Sequence, residues 1–407
     1  MVAVNTKNIK EFLIQLSSFV VSPLLAIYVY AKGISLNVKS SYYFMAYVFA
    51  LWGAYYPPVS DRYRYREIYY TSEPINWDNL YTLDGHKDWL YNYLSYIFNN
   101  IGFSFELFSL LIIVICYSIY TWIFLDIVEN RQSVYRDKKI RILAWYVLLF
   151  SIRIYSISIG MRFGTASVLL VLAIYLWFTN RKSIAVFCYA LSVFMHFSML
   201  MLIPLYAISK IFCFHLLSTR LKVVIIIISA LFFSSGISTI LQLYNINLLA
   251  NSIDAYINGE WNTENMLASF NVNAIIFEIL KIAPVFVLIL FYLKDSANTF
   301  FSSLLFSFIL LLCISSISLT LLLRYSSITI SLLCIYMLKD GTLSYKQLRK
   351  SLIIFIGVFL MYSYTYRRAI GMGYQFQAVI CPISLISHHS YSDSWVYSRI
   401  DVDGDYR

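Results

Sequence analysis

The feature that most limits how this chain can fold is a succession of apolar runs, each near the length of a membrane crossing. A helix crosses a bilayer core with about 20 apolar residues, and fewer where it is short or re-entrant. Every backbone polar group at that depth needs an internal partner, which leaves only helices or closed barrels. Barrel strands alternate about every second residue, and these runs are continuous, so helices are expected. About twelve segments qualify: 11–31, 41–56, 103–125, 142–158, 162–179, 183–195, 197–213, 222–243, 272–293, 299–321, 325–338 and 351–366. The expected fold is all-α, a polytopic integral membrane protein forming one domain over 1–407. Its outer loops are 57–102 and 244–271, and its tail is 367–407. Composition agrees, with 60% hydrophobic and only 13% charged residues against about 25% charged in soluble domains.

The chain carries a formal charge of +10, but the basic residues fall in short clusters between apolar runs. That is the pattern of cytoplasmic loops under the positive-inside rule rather than of a nucleic-acid surface. Arg131, Arg136, Lys138, Lys139 and Arg141 form the strongest such cluster, and Arg181 with Lys182, 210–222 and 339–350 alternate with it. The loop at 244–271 carries Asp254, Glu260 and Glu264 without a lysine or arginine, and falls outside. Counting backward puts the N-terminus and the 57–102 loop outside as well. The first apolar run, from Phe12 to Tyr30, is long enough to span, so no cleavable signal is expected. The chain is therefore expected in a membrane that it crosses many times.

The six cysteines are scattered through or beside apolar segments without a CxxC pair, so they read as small core residues. No P-loop, HExxH or GxSxG motif occurs, and DVDGD at 401–405 lacks the downstream ligands of a calcium loop. Neither metal nor cofactor is expected.

Arginines mark the chemistry. Arg153 and Arg162 sit at the edge of apolar runs with no acidic residue between them. A charge held beside hydrocarbon is costly, which points to use, and the guanidinium fork suits phosphate oxygens. Arg324 interrupts the stretch from Phe300 to Leu338 and is expected at an outer turn, on the side where Arg367 and Arg368 follow the last span. His196 lies between two short apolar segments, where it reads either as a hydrogen-bonded core residue or as a proton acceptor or phosphate ligand. Asp61 follows two prolines and is ringed by Arg62, Arg64 and Arg66; it is a carboxylate for sugar hydroxyls, or else a solvated ion pair. Asp84 and Asp88 are similar candidates. Glu278 and Lys281 are spaced to pair with one another. The chain holds 36 tyrosines, whose apolar face and polar tip suit a carbohydrate cavity.

Four short motifs in order resemble bacterial polysaccharide polymerases of the Wzy/EpsG type. They are SDRYRYREIYY, GMRFGTASVLLVLAIYL, MHFSMLMLIPLY and the late Arg324–Tyr325 pair, covering roughly 50–340. Phe163 stands where relatives often carry a polar residue. The resemblance implies a metal-independent glycosyltransferase in a bacterial inner membrane, with its active site facing outward at the outer leaflet. It would move a growing glycan from undecaprenyl pyrophosphate onto the non-reducing sugar of a new lipid-linked repeat unit. Its partners would then be undecaprenyl-pyrophosphate-linked oligosaccharide, membrane lipid and a chain-length regulator, with no nucleic acid. Arg153, Arg162 and Arg324 would hold pyrophosphate, and Asp61 and His196 would share the base role. Arg62, Tyr63, Arg64 and Tyr325 would complete the substrate contacts. Two rivals share these needs: a flippase or transporter of lipid-linked oligosaccharide, and another lipid-linked glycosyltransferase such as an O-antigen ligase.

Overall fold

The computed structural model describes residues 6–71, 88–243, 272–294, 299–316, 318–340, 344–386, 391–401 and 404. Among the described residues the regular structure is helical and no strand occurs. Five helices are long and apolar enough to cross a membrane: Phe105–Asn130, Lys138–Ile159, Met161–Phe178, Leu319–Lys339 and Tyr345–Thr365. Three shorter apolar helices, Lys182–Met195, Phe197–Phe212 and Phe300–Ser315, cover further expected segments. The long helices Thr219–Leu243 and Val272–Lys294 occupy the expected segments 222–243 and 272–293. Only 22% of the apolar window in Tyr345–Thr365 is covered by protein, a surface that lipid rather than water would satisfy.

Packing divides the chain into two compact units, one of Met1–Trp145, Arg153–Met199 and Tyr366–Arg407, the other of Tyr146–Ile152 and Leu200–Thr365. The first unit opens with α1 (Thr6–Val21) and α2 (Ile27–Ser35), then α3 (Lys39–Ala54). The single span expected over 11–31 is thus two helices. Pro23 lacks the N–H that would continue α1, and the Leu24 N–H instead donates to the Val379 carbonyl at 2.8 Å.

The segment expected as an outer loop folds at both ends, as α4 (Asp61–Thr71) and α5 (Trp89–Asn100). Asp84 lies outside the described residues. The buried helix α6 (Phe105–Asn130) is capped by Ser104, whose hydroxyl accepts the Leu107 N–H at 3.3 Å. After the short α7 (Gln132–Tyr135) and α8 (Lys138–Ser151), a break at 152–153 leads into α9 (Ile154–Ile159). The chain then turns at Gly160 into α10 (Met161–Phe178), followed by α11 (Lys182–Met195).

The α9–α10 corner is tight. A side-chain carbon on Gly164 would lie 2.7 Å from the Ile157 Cα, and one on Gly53 of α3 would lie 2.6 Å from the Ser158 Oγ. Glycine at 164 lets the start of α10 touch the α9 backbone, and glycine at 53 makes room on α3 for the Ser158 and Ile154 side chains. Ser192 of α11 ties onto α10 by donating to the Ala166 carbonyl at 2.7 Å.

Candidate active site

α4 reads DRYRYREIYYT, and helical spacing sorts its residues onto distinct faces. Arg62 and Arg66, at i and i+4, point inward and are almost wholly buried. Asp61 and Arg64, at i and i+3, sit on the open flank 3.9 Å apart. Tyr65 is buried on a third side and faces α10.

Arg162, the second residue of α10, meets this helix. Its guanidinium lies 4.8 Å from the centre of the Tyr65 ring, and its Nη1 is 2.8 Å from Asp88 Oδ2. The expected bare cation is therefore compensated, by a carboxylate from the far end of the first polar segment. Asp88 is only 8% exposed at its side chain, against 30% for Arg162. Its second oxygen accepts the Phe197 N–H at 3.4 Å, so the carboxylate bridges α10 and the turn after α11. Tyr91, fully buried one turn into α5, packs its ring 5.5 Å from that of Tyr65. The Arg162 Nε is buried without a hydrogen-bond partner among the described residues. A guanidinium with one carboxylate contact, an unspent buried N–H and a partly open end retains donors for an anion.

His196 stands in extended conformation between α11 and the 3-10 turn Phe197–Met201. Its Nδ1 accepts the Ser198 N–H at 3.3 Å and lies 2.8 Å from the Ser198 hydroxyl. A backbone N–H can only donate, so the neutral ring carries its proton on Nε2. The ring packs edge-on against Phe163 at 5.4 Å, which gives that residue a packing role where relatives often place a polar one.

Arg62, expected to bind substrate, is instead wedged inside the unit. It donates to the Ser158 carbonyl at 2.9 Å and the Ala54 carbonyl at 2.5 Å, and lies 5.0 Å from the centre of the Phe105 ring. Burial pushes its pKa down, opposed by the charge of Glu106. These contacts make it a strut that holds the ends of α3 and α9 together. Tyr63 is buried beside it in sequence, while Arg64 is exposed. Arg153 marks the N-terminal edge of α9, where its carbonyl accepts the Ile157 N–H at 3.2 Å, and α9 separates it from Arg162.

Arg324 and Tyr325 belong to the other unit. They lie at the sixth and seventh positions of the helix Leu319–Asp340, not at the expected turn. The turn comes earlier, because the Ser318 carbonyl already accepts the Leu322 N–H at 2.9 Å and nothing between Leu319 and Arg324 breaks a helix. Lys281 is buried with its ammonium 5.0 Å from the centre of the Tyr362 ring; the side chain of Glu278, its expected partner, lies outside the described residues.

These features define a class, an all-helical multi-span membrane protein with a half-buried charge pair at the mouth of one helix. The chain belongs to the EpsG family, whose model matches residues 40–378, a family of polysaccharide polymerase-like membrane proteins. That stretch contains Asp61, Asp88, Arg162, His196 and Arg324. No curated protein and no solved structure matches the chain.

Proposed function

We propose that this protein polymerises lipid-linked oligosaccharide repeat units at the outer face of a bacterial inner membrane. The donor is a glycan on undecaprenyl pyrophosphate, and the acceptor is the non-reducing sugar of a new repeat unit. Family membership supports the polymerase class, and the single observation that supports the chemistry is the Arg162–Asp88 pair. Asp88 fixes the guanidinium while its remaining donors face the place where leaving-group charge grows, which is where electrostatic stabilisation counts most. Tyr65 beneath it restricts the approach to one side.

His196 serves as a donor in this reading, its Nε2–H offered to a phosphate oxygen, since Nδ1 is already occupied by Ser198. Asp61 is the more open carboxylate and lies one helical turn ahead of Tyr65, so it takes the proton of the acceptor hydroxyl. No metal enters the scheme.

The test is reconstitution. Purified protein mixed with lipid-linked repeat units is expected to release undecaprenyl pyrophosphate as long glycans accumulate. Neither product would form with a flippase, and transfer of a finished chain to another lipid, without elongation, would indicate a ligase.

A further inference from the structure

The C-terminal residues fold back onto α4. Tyr391 is buried, its hydroxyl donating to the Tyr55 carbonyl at 2.7 Å and accepting the Tyr374 N–H at 2.9 Å. Its own carbonyl accepts from Arg66 Nη2 at 3.1 Å, and Asp393 Oδ1 takes the same nitrogen at 2.5 Å. The other terminal nitrogen of Arg66 meets Glu67 at 2.9 Å. Nearby, the Tyr397 hydroxyl donates to Glu67 Oε2 at 3.2 Å, and the Ser60 N–H donates to the Gly404 carbonyl at 2.9 Å. Gly404 has φ +88°, and a side-chain carbon there would press within 3.0 Å of the Ser60 backbone. The tail thus holds α4 at its start and its middle.

α4 in turn holds the site. Tyr65 lies under Arg162, and Arg62 grips the Ser158 carbonyl while its Nη1 lies 3.8 Å from the sulfur of Met161, the residue before Arg162. Residues 62, 65 and 66 fall within about one and a half turns of one helix, so α4 cannot shift without moving the ring beneath the guanidinium. In the Arg66–Asp393 pair the arginine side chain is 3% exposed and the aspartate 71%, so an open carboxylate of the tail supplies a counter-charge to an arginine held inside the unit.

We propose that residues 391–401 and Gly404 form a strap that positions α4, with Arg66 and Asp393 acting as positioning residues for the Arg162–Asp88 pair. The consequence for catalysis rests on the reading of that pair as the pyrophosphate site. The strap itself lies beyond the stretch 40–378 that matches the family.

The test compares the full chain with Asp393→Ala, Asp393→Glu and a chain ending at residue 390, using hydrogen exchange together with polymerisation kinetics. In Asp393→Ala and the shortened chain, exchange at 61–71 and 163–166 is expected to quicken about tenfold, with the middle of α6 unchanged. The kcat is expected to fall about tenfold, with KM within about twofold, and Asp393→Glu should restore both. Unchanged exchange at 61–71 in Asp393→Ala and the shortened chain would overturn the strap. Faster exchange with wild-type kcat would overturn the positioning role. Faster exchange in α6 would show that the shortened chain has unfolded, leaving Asp393→Ala to decide. If the wild-type protein makes no polymer from any lipid-linked unit, the polymerase reading fails, and the exchange data still judge the strap.

Discussion

At the scale of single residues, the molecule turns on how one arginine is neutralised. Arg162 is held by Asp88 and Tyr65 rather than left bare, and the two charges act as a unit. Removing either breaks a half-buried pair, and Asp88→Ala also leaves the guanidinium without its counter-charge. Arg162→Ala and Asp88→Ala are each expected to lower kcat/KM about a hundredfold. Arg162→Lys keeps the charge but loses the fork, with a loss of about tenfold or more. The double variant should be no worse than Arg162→Ala, because residues acting together are not additive. Rates of glycan elongation measure all four, and losses that simply multiply would separate the two residues. The sequence marks Arg162 clearly, as a charge at the edge of an apolar run. Its partner is hidden, because positions 88 and 162 are brought together only by the folding of α4 and α5 over α10. Arg62 is misleading for a related reason: an arginine in a run of charged residues and tyrosines looks solvent-facing until helical spacing turns it inward.

At the scale of helices, apolar length carries most of the information. The long runs at 103–125 and 162–179 become α6 and α10 nearly as bounded. The first run does not, since one proline splits it, and the tail is not legible at all because its short helices gain stability from α3 and α4 rather than from their own pattern. Tyr391 shows how that docking is secured. Burial pushes its phenol well above the ordinary 10, because the charged form would be stranded among apolar neighbours. A raised folded-state value means that the neutral phenol stabilises the fold fully below pH 10, and that this contribution is lost as pH climbs toward the folded value. Alkaline titration in detergent is therefore expected to lower Tm progressively above pH 10. Tyr391→Phe should start from a lower Tm, having lost two hydrogen bonds, yet show a shallower alkaline slope. An identical slope in both proteins would remove Tyr391 from the alkaline transition.

At the scale of the whole molecule, the proposed chemistry depends on which face of the membrane each charge meets. The basic cluster around α7 and the start of α8 sits at the opposite end of α6 from Ser104, and α6 at 26 residues is long enough to separate the two by a bilayer. The second end of α10 repeats the pattern. There Arg181 pairs with Asp126 of α6 at 2.8 Å and lies over the Trp122 ring, far along both helices from Arg162 and Ser104. The pyrophosphate chemistry proposed for Arg162 works on an exported substrate only if that end of α10 faces outward. Single cysteines at Arg64 and Arg136, in a background where the six native cysteines are replaced by serine, test this directly. In intact cells a membrane-impermeant maleimide is expected to label the cysteine at position 64, and to label the one at 136 only after the membrane is opened. Reversed labelling would place Arg162 on the cytoplasmic side, where lipid-linked units are assembled rather than joined. The polymerase assignment would then have to give way to a step that acts before export.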